Sequence, residues 1–401
     1  MFKQRQKARS DLGRFSYLGG VKNWAPGWRE GLLLIGLLAL ASGCTSVKQA
    51  AAPSPIFYPP APDPPRLQFL MGFSGEGDLR GGSDAFKTFV VGKAPPKRPI
   101  SKPYGLALSR NQLYVCDTVL RLLEIIDLDK RQLRYFSPEG AGRLRTPINV
   151  TVDQDGTRYV TDTSRHQVLI YRADDTFAGA IGREAPRAPQ ATGSHLQSNR
   201  AEEAAAADLW TPTDVAVSAD RLYITDLKSH SVQVYNKADR RLLFAIPAGE
   251  ANATNRLYAP TNLALDAQGR VYVSDTGGFR VQQYDANGQH LRSFGAQGLA
   301  PGTFALPKGI AVDRAGRLYV VDARTQVVQI FNDQGQLLMY FGEPGQSRAA
   351  LNLPAKIIID YDHVAQFQKY AAPGFVVEHL VLITNQYGER KVSIYGFGHR
   401  Q

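Results

Sequence analysis

Apolar and polar residues alternate along this chain in short runs, and the runs recur. One set reads Arg270-Val271-Tyr272-Val273-Ser274-Asp275, then Val281-Gln282-Gln283-Tyr284, then His290-Leu291-Arg292-Ser293-Phe294-Gly295. Alternation of period two, with Gly, Asp and Asn turns every eight to twelve residues, predicts short β-strands. Each set is preceded by a run that opens on proline. These runs are Pro103-Tyr104-Gly105-Leu106-Ala107-Leu108, Pro147-Ile148-Asn149-Val150-Thr151-Val152 and Pro212-Thr213-Asp214-Val215-Ala216-Val217. They continue with Pro260-Thr261-Asn262-Leu263-Ala264-Leu265, Pro307-Lys308-Gly309-Ile310-Ala311-Val312 and Pro354-Ala355-Lys356-Ile357-Ile358-Ile359. Their spacings are 44, 65, 48, 47 and 47 residues.

Four short strands in a unit of about 40–50 residues predict one propeller blade. Six copies predict an all-β, six-bladed β-propeller. The wording of each copy runs proline, small residue, aliphatic-Ala-aliphatic, then a strand such as Tyr272-Val273-Ser274-Asp275-Thr276, then a strand ending in Tyr or Phe. This resembles the NHL repeat, well over residues 103–342 and less well from there to the C-terminus. After Lys391-Val392-Ser393-Ile394-Tyr395 the last copy has three strands of its own. Arg66-Leu67-Gln68-Phe69-Leu70-Met71-Gly72-Phe73 reads as the missing outer strand, since an incomplete blade would leave an open edge. The expected ring is therefore residues 66–401, closed by an N-terminal strand that completes the last blade. Insertions at 183–209 (with a short helix over 201–209) and at 362–375 interrupt the rhythm.

Ahead of the ring lie seven prolines between Pro53 and Pro65, an extended spacer by composition. Residues 44–65 read as a tether. Basic residues then an apolar run from Leu32 to Leu40 precede Ala41-Ser42-Gly43-Cys44. The run is too short to span a bilayer and has the form of an export signal, residues 1–43. The cysteine after small residues resembles the lipobox of bacterial lipoproteins, which implies a lipid on Cys44. Thr45 in the next place implies, by the same resemblance, the outer membrane, periplasmic or surface-exposed. Val21 is a candidate translation start that would leave a presequence of ordinary length. The chain of 401 residues carries a net charge of +11. Residues 1–43 hold seven basic and two acidic side chains, so five of those surplus charges belong to the signal. The rest are spread over the blades, which argues against a nucleic-acid partner.

The strand-end aspartates Asp117, Asp162, Asp226, Asp275 and Asp322, with Asn385 in the sixth place, are expected to cap turns, because an Asp at a strand end bonds the next backbone amides. Cys116 is the one thiol besides Cys44 and fills a slot for small side chains. The third residue of each proline-led run should lie near the channel: Gly105, Asn149, Asp214, Asn262, Gly309 and Lys356. Asn149, Asp214 and Asn262 are oxygen-bearing and consecutive, and six-bladed lactonases, which the repeat resembles, hold calcium with such residues. His166 and His230 are equivalent in adjacent blades; the resembling peptide-amidating lyases use zinc, but a third matching histidine is lacking and three ligands is the minimum. No nucleophile elbow, phosphate loop or haem-attachment motif occurs. The expectation is a non-catalytic, monomeric binding module without a cofactor, which meets a protein or glycan partner in the cell envelope. Similar propeller lipoproteins serve as accessories of envelope complexes. Its contact residues would be Arg121, Arg165, His166, Lys228, His230, Phe279, Arg280 and Arg324, exposed just after the capping aspartates. The alternative is a calcium-dependent hydrolase or lyase centred on Asn149, Asp214 and Asn262.

Overall fold

The computed structural model describes residues 54–79, 98–183, 209–249, 252 and 254–401. The signal, Cys44 and residues 201–208 of the helix expected at 201–209 lie outside the described residues. Six antiparallel sheets are present, each running from an inner strand that opens on proline to an outer strand. Blade 1 consists of Pro103–Ser109, Gln112–Asp117, Leu122–Asp127 and Gln132–Phe136. Blades 2 to 5 repeat this order from Pro147, Pro212, Pro260 and Pro307. Blade 6 contains Pro354–Asp360, Phe375–Asn385 and Val392–Arg400. The sequence places proline first in each inner strand, where its missing N–H costs the ladder nothing.

Hydrophobic burial explains the alternation. The core is divided into six seams, one between each pair of adjacent blades, rather than one central mass. Successive side chains of a strand point to opposite faces. In blade 4, Tyr272 enters the seam with blade 5, and Val271 and Val273 enter the seam with blade 3. Middle strands are therefore buried on both faces, as in Val271–Asp275, whereas an outer strand such as Leu337–Phe341 alternates exposed and half-buried residues before its buried end.

The ring closes as the sequence predicts. Leu67–Phe73 pairs antiparallel with Val392–Arg400, from Leu67 opposite Phe397 to Phe73 opposite Val392. One boundary is corrected. Ile56–Tyr58, within the stretch read as tether, adds a fifth strand outside Leu67–Phe73. Its apolar triplet packs on blades 5 and 6: the Phe57 ring lies 5.5 Å from Phe375 and the Tyr58 ring 6.0 Å from Phe341. Prolines flank this strand but do not enter it, which suits an edge. The insertion at 362–375 folds into a turn of α-helix, Val364–Phe367, and a 3-10 turn, Gln368–Tyr370. It latches blade 6 to blade 1, with Gln366 Nε2 donating to Asn111 Oδ1 at 2.7 Å and to Asp129 Oδ1 at 3.0 Å.

One seam position of the third strand recurs from blade to blade. Gln233, Gln282 and Gln329 stand opposite Ile224, Val273 and Val320 in blades 3, 4 and 5. Gln282 Nε2 donates to Arg256 O and Gln329 Nε2 to Thr303 O, both at 2.7 Å, tying each blade to its incoming loop. Blade 1 puts Glu124 there, opposite Val115, fully buried with no hydrogen-bond partner for either oxygen among the described residues. Burial first, and then the Asp117 carboxylate, hold its pKa well above the ordinary glutamate value, against the opposing charge of Lys391. A raised carboxyl pKa favours the folded state at low pH, and that contribution is lost as pH climbs from the unfolded value toward the folded one. Glu124→Gln should therefore stabilise the ring by roughly 1–3 kcal/mol, the cost of an unpaired buried polar group. Melting temperatures of both proteins at pH 5 and pH 8 check this. The variant should lead, by more at pH 8; equal gaps at both pH values refute the assignment.

Candidate functional site

The aspartates capping the second strands define one face of the ring, the turn face. Each is buried, and Asp117, Asp162, Asp226 and Asp322 accept backbone amides from two directions, while Asp275 takes Tyr258 N and Ala259 N on one oxygen and Arg280 Nε at 3.4 Å on the other. Asp226 takes Trp210 N at 2.6 Å and Thr211 N at 3.0 Å from the incoming loop, and Lys228 N at 3.1 Å and Ser229 N at 3.3 Å from the following turn. Asp117 and Asp322 do the same with four amides each. Their negative charge is thus consumed by backbone dipoles. Cationic and aromatic side chains face solvent beside them, together with Val119, Leu120, Ser164 and Ser229.

Lys228 Nζ lies 4.6 Å from the centre of the exposed Trp210 ring, Arg280 Cζ 5.9 Å from Tyr258, and Lys102 Nζ 5.2 Å from Tyr387. Between blades 1 and 2 a cavity of about 640 Å³ is lined by Arg121, Arg143, Arg145 and Arg165 with Leu120 and Leu144. Residues four places after the capping aspartate share a left-handed backbone in five blades. They are Arg121, His166, His230, Phe279 and Gln326, with φ between 53° and 61°. That conformation is costly for non-glycine residues, yet it recurs with five side chains.

Of the contact residues named from sequence, Arg121, Lys228, His230 and Arg324 are exposed, and His166, Phe279 and Arg280 are half-buried. Arg165 is corrected: it is 5% exposed, because its guanidinium turns inward to donate to Gln167 Oε1 at 3.0 Å and to Arg143 O at 2.9 Å. His166 and His230 build no metal site; the His230 ring meets Tyr258 O at 2.5 Å, and no group of three metal-ligating side chains occurs among the described residues. Cys116 is buried in the seam between blades 1 and 2. Burial first, and then Glu124, push its thiol well up, so it stays protonated and is a poor nucleophile.

The channel position carries side chains in four blades. At Gly105 an added Cβ would lie 2.5 Å from Asn149 Cα, and at Gly309 2.6 Å from Ala355 O, because the neighbouring inner strand runs directly against each glycine. Asn149, Asp214 and Asn262 are all fully buried; Asn262 and, from across the ring, Lys356 meet Asp214, whereas the Asn149 oxygen lies toward Gly105. Asp214 Oδ2 accepts Lys356 Nζ at 2.5 Å, Leu263 N at 3.0 Å and Asn262 Nδ2 at 3.3 Å. Asn149 Nδ2 donates to Thr213 O at 2.8 Å. The oxygens Asn149 Oδ1 and Asn262 Oδ1 have no partner among the described residues. Toward the turn face, Lys308 Nζ bonds Tyr104 Oη at 3.2 Å, a contact between blades 5 and 1 that spans the mouth. On the other side a cavity of about 300 Å³ is lined by Leu108, Val152, Leu265, Val312, Ile359 and Lys356. A hard dication wants six to eight oxygens. Here the one carboxylate already holds an ammonium, so the residues present do not fit the calcium site that the lactonase resemblance implies.

The family model of the NHL repeat matches residues 209–235, which take in the first two strands of blade 3 and the third, Ser231–Asn236, up to its last residue. Solved structures share the fold. A gluconolactonase from Xanthomonas campestris is 17% identical, with 86% of this chain and 99% of that chain covered and a TM-score of 0.50. A structural genomics protein of unknown function from Bacteroides thetaiotaomicron is 16% identical, covering 75% and 70%, with a TM-score of 0.50. A virginiamycin B lyase from Staphylococcus aureus is 12% identical, covering 74% and 95%, with a TM-score of 0.47. The gluconolactonase match overturns the expectation that the chain is not an enzyme. That protein is an enzyme, so a missing sequence motif is no ground for excluding catalysis on this scaffold. At such identities the likeness shows the fold alone, and an activity has to be argued from the site.

Proposed function

We propose that this six-bladed propeller, which carries an NHL repeat, binds an acidic glycan of the cell envelope through its turn face, with a lipid on Cys44 holding the ring at the outer membrane. The observation that carries the reading is the cavity between blades 1 and 2, where Arg121 and Arg143 are exposed. Arginine forks recognise carboxylates and similar anions by paired hydrogen bonds. The aromatic rings of Trp210, Tyr258 and Tyr387, each beside a cation, add flat apolar platforms at intervals around the same face. Carboxylates are present there too, but as buried caps they offer little repulsion to an anion. A repeating acidic chain matches platforms that recur from blade to blade.

The test is binding of residues 45–401 to polygalacturonate, with neutral dextran as control, at 50 and 300 mM salt. Binding to the acidic polymer alone is expected, weakening several-fold at high salt as charge contacts are screened. Arg121→Glu with Arg143→Glu should cut affinity at least tenfold, since each reversal replaces attraction by repulsion. Equal binding of dextran, or full binding by the double variant, removes the support for this reading.

A further inference from the structure

We propose, resting on the acidic-glycan reading of the turn face, that blades 3 and 4 hold a sugar-ring subsite in which His230 reads a hydroxyl donor. The backbone N–H two places before each blade's opening proline is held by that blade's capping Asp or Asn, so this position is fixed alike in all six blades. Blades 1, 2, 5 and 6 place Ser101, Arg145, Ala305 and Asn352 there. Blades 3 and 4 place Trp210 and Tyr258 there, 45% and 46% exposed. The repeat therefore demands no ring at this position, and two large rings exposed in neighbouring blades belong to the surface rather than to the packing of the blade.

The turn of blade 3 lies between those rings. Lys228 reaches back, with Nζ 4.6 Å from the centre of the Trp210 ring, and His230 reaches forward, with Nδ1 2.5 Å from Tyr258 O. A carbonyl oxygen only accepts, so Nδ1 carries the proton of that bond, and in the neutral imidazole Nε2 is then an acceptor. The His230 side chain is exposed, on a backbone held at φ 54°. Its cationic neighbours, Lys228 beside Trp210 and Arg280 beside Tyr258, have donors alone and suit carboxylate oxygens. An acceptor among them suits a hydroxyl. A sugar ring supplies that hydroxyl together with an apolar C–H face to lie flat on an aromatic side chain. A polyanion without hydroxyls or rings supplies neither.

The experiment measures the affinity of residues 45–401 for three polymers: polygalacturonate, its O-acetylated form, which keeps the carboxylates and loses hydroxyl donors, and poly-L-glutamate. Wild type should bind polygalacturonate about fivefold more tightly than either of the others, the share of one neutral hydrogen bond. His230→Phe suits the backbone, since Phe279 holds the same place in blade 4 at φ 53°. It should lose about fivefold on polygalacturonate, keep its poly-L-glutamate affinity and salt dependence, and no longer distinguish the acetylated polymer. Trp210→Ala keeps the main-chain bond to Asp226; it should lose about tenfold on polygalacturonate as a flat apolar surface goes, lose nothing on poly-L-glutamate, and still distinguish acetylation. It also decides the matter if His230→Phe does not fold. Equal binding of all three polymers by wild type, full polygalacturonate affinity in either variant, or discrimination of acetylation surviving in His230→Phe would overturn the subsite, while sensitivity to Arg121→Glu with Arg143→Glu would leave the acidic-glycan reading standing. Binding of none of the three polymers by wild type would overturn both.

Discussion

A chain lacking residues 54–74 is expected to lose its cooperative unfolding transition altogether. That segment supplies both outer strands of blade 6 and buries Leu67, Phe69, Leu70 and Phe73 in two different seams. At about 1.5–3 kcal/mol for each large apolar side chain, the four contribute roughly 6–12 kcal/mol. A whole domain is typically stable by only about 5–15 kcal/mol. The loss is not confined to one blade. Leu67 and Phe69 pack in the seam between blades 5 and 6, Leu70 and Phe73 in the seam between 6 and 1. Removal would also bare the edge of Val392–Arg400, a ladder of unpaired amides open to association. Phe73→Ala is the graded version, costing about 3–5 kcal/mol for a truncated core aromatic. Thermal or denaturant unfolding of the truncated chain measures the effect; a transition at the wild-type midpoint refutes the closure argument.

What could be read from the sequence, and what could not, follows from how far each feature reaches along the chain. Inner strands start at the prolines named from the repeat, because a blade is a local unit whose turns and alternation are written within about 45 residues. The capping role of Asp226 and its equivalents was legible for the same reason. Lys356 was identifiable as a channel residue by its place in the repeat, but its pairing with Asp214 was not. That contact exists only once the ring has closed, and its partners lie 142 residues apart. Ile56–Tyr58 was hidden by the prolines around it, which set the local composition while three apolar side chains decided the packing. A charged residue in a turn predicts exposure for Arg165, whereas the structure turns it inward onto Gln167 Oε1; a Gln two places on in the strand is the sequence signal for that. Glu124 had a signal as well. Aligning the third strands puts it in register with Gln233, Gln282 and Gln329, a carboxyl in an amide's place.

Asp226→Ala is expected to cost about 3–6 kcal/mol, because four backbone donors lose their acceptor and each buried unsatisfied donor costs about 1–3 kcal/mol; the lower total allows for water reaching the half-buried turn. The amides are those of Trp210, Thr211, Lys228 and Ser229, so the same change should unfasten the Trp210–Lys228 pair on the turn face. Stability and polygalacturonate binding should therefore fall together. Asp226→Asn separates two explanations of the carboxylate. Blade 6 already uses an amide: Asn385 Oδ1 accepts Asn352 N at 3.2 Å, while its Nδ2 donates to Arg390 O at 3.1 Å and Ser393 Oγ at 3.0 Å. An amide side chain thus accepts on one side and needs acceptors on the other. At position 226, where amides converge on both oxygens, its NH₂ would meet N–H donors. Asp226→Asn should accordingly lose about half as much stability as Asp226→Ala, in contrast to Glu124→Gln, where the change to an amide is stabilising. If Asp226→Asn melts with wild type, the aspartates are there for their charge toward some ligand rather than for the backbone they hold, and the turn face would have to be reread as anionic.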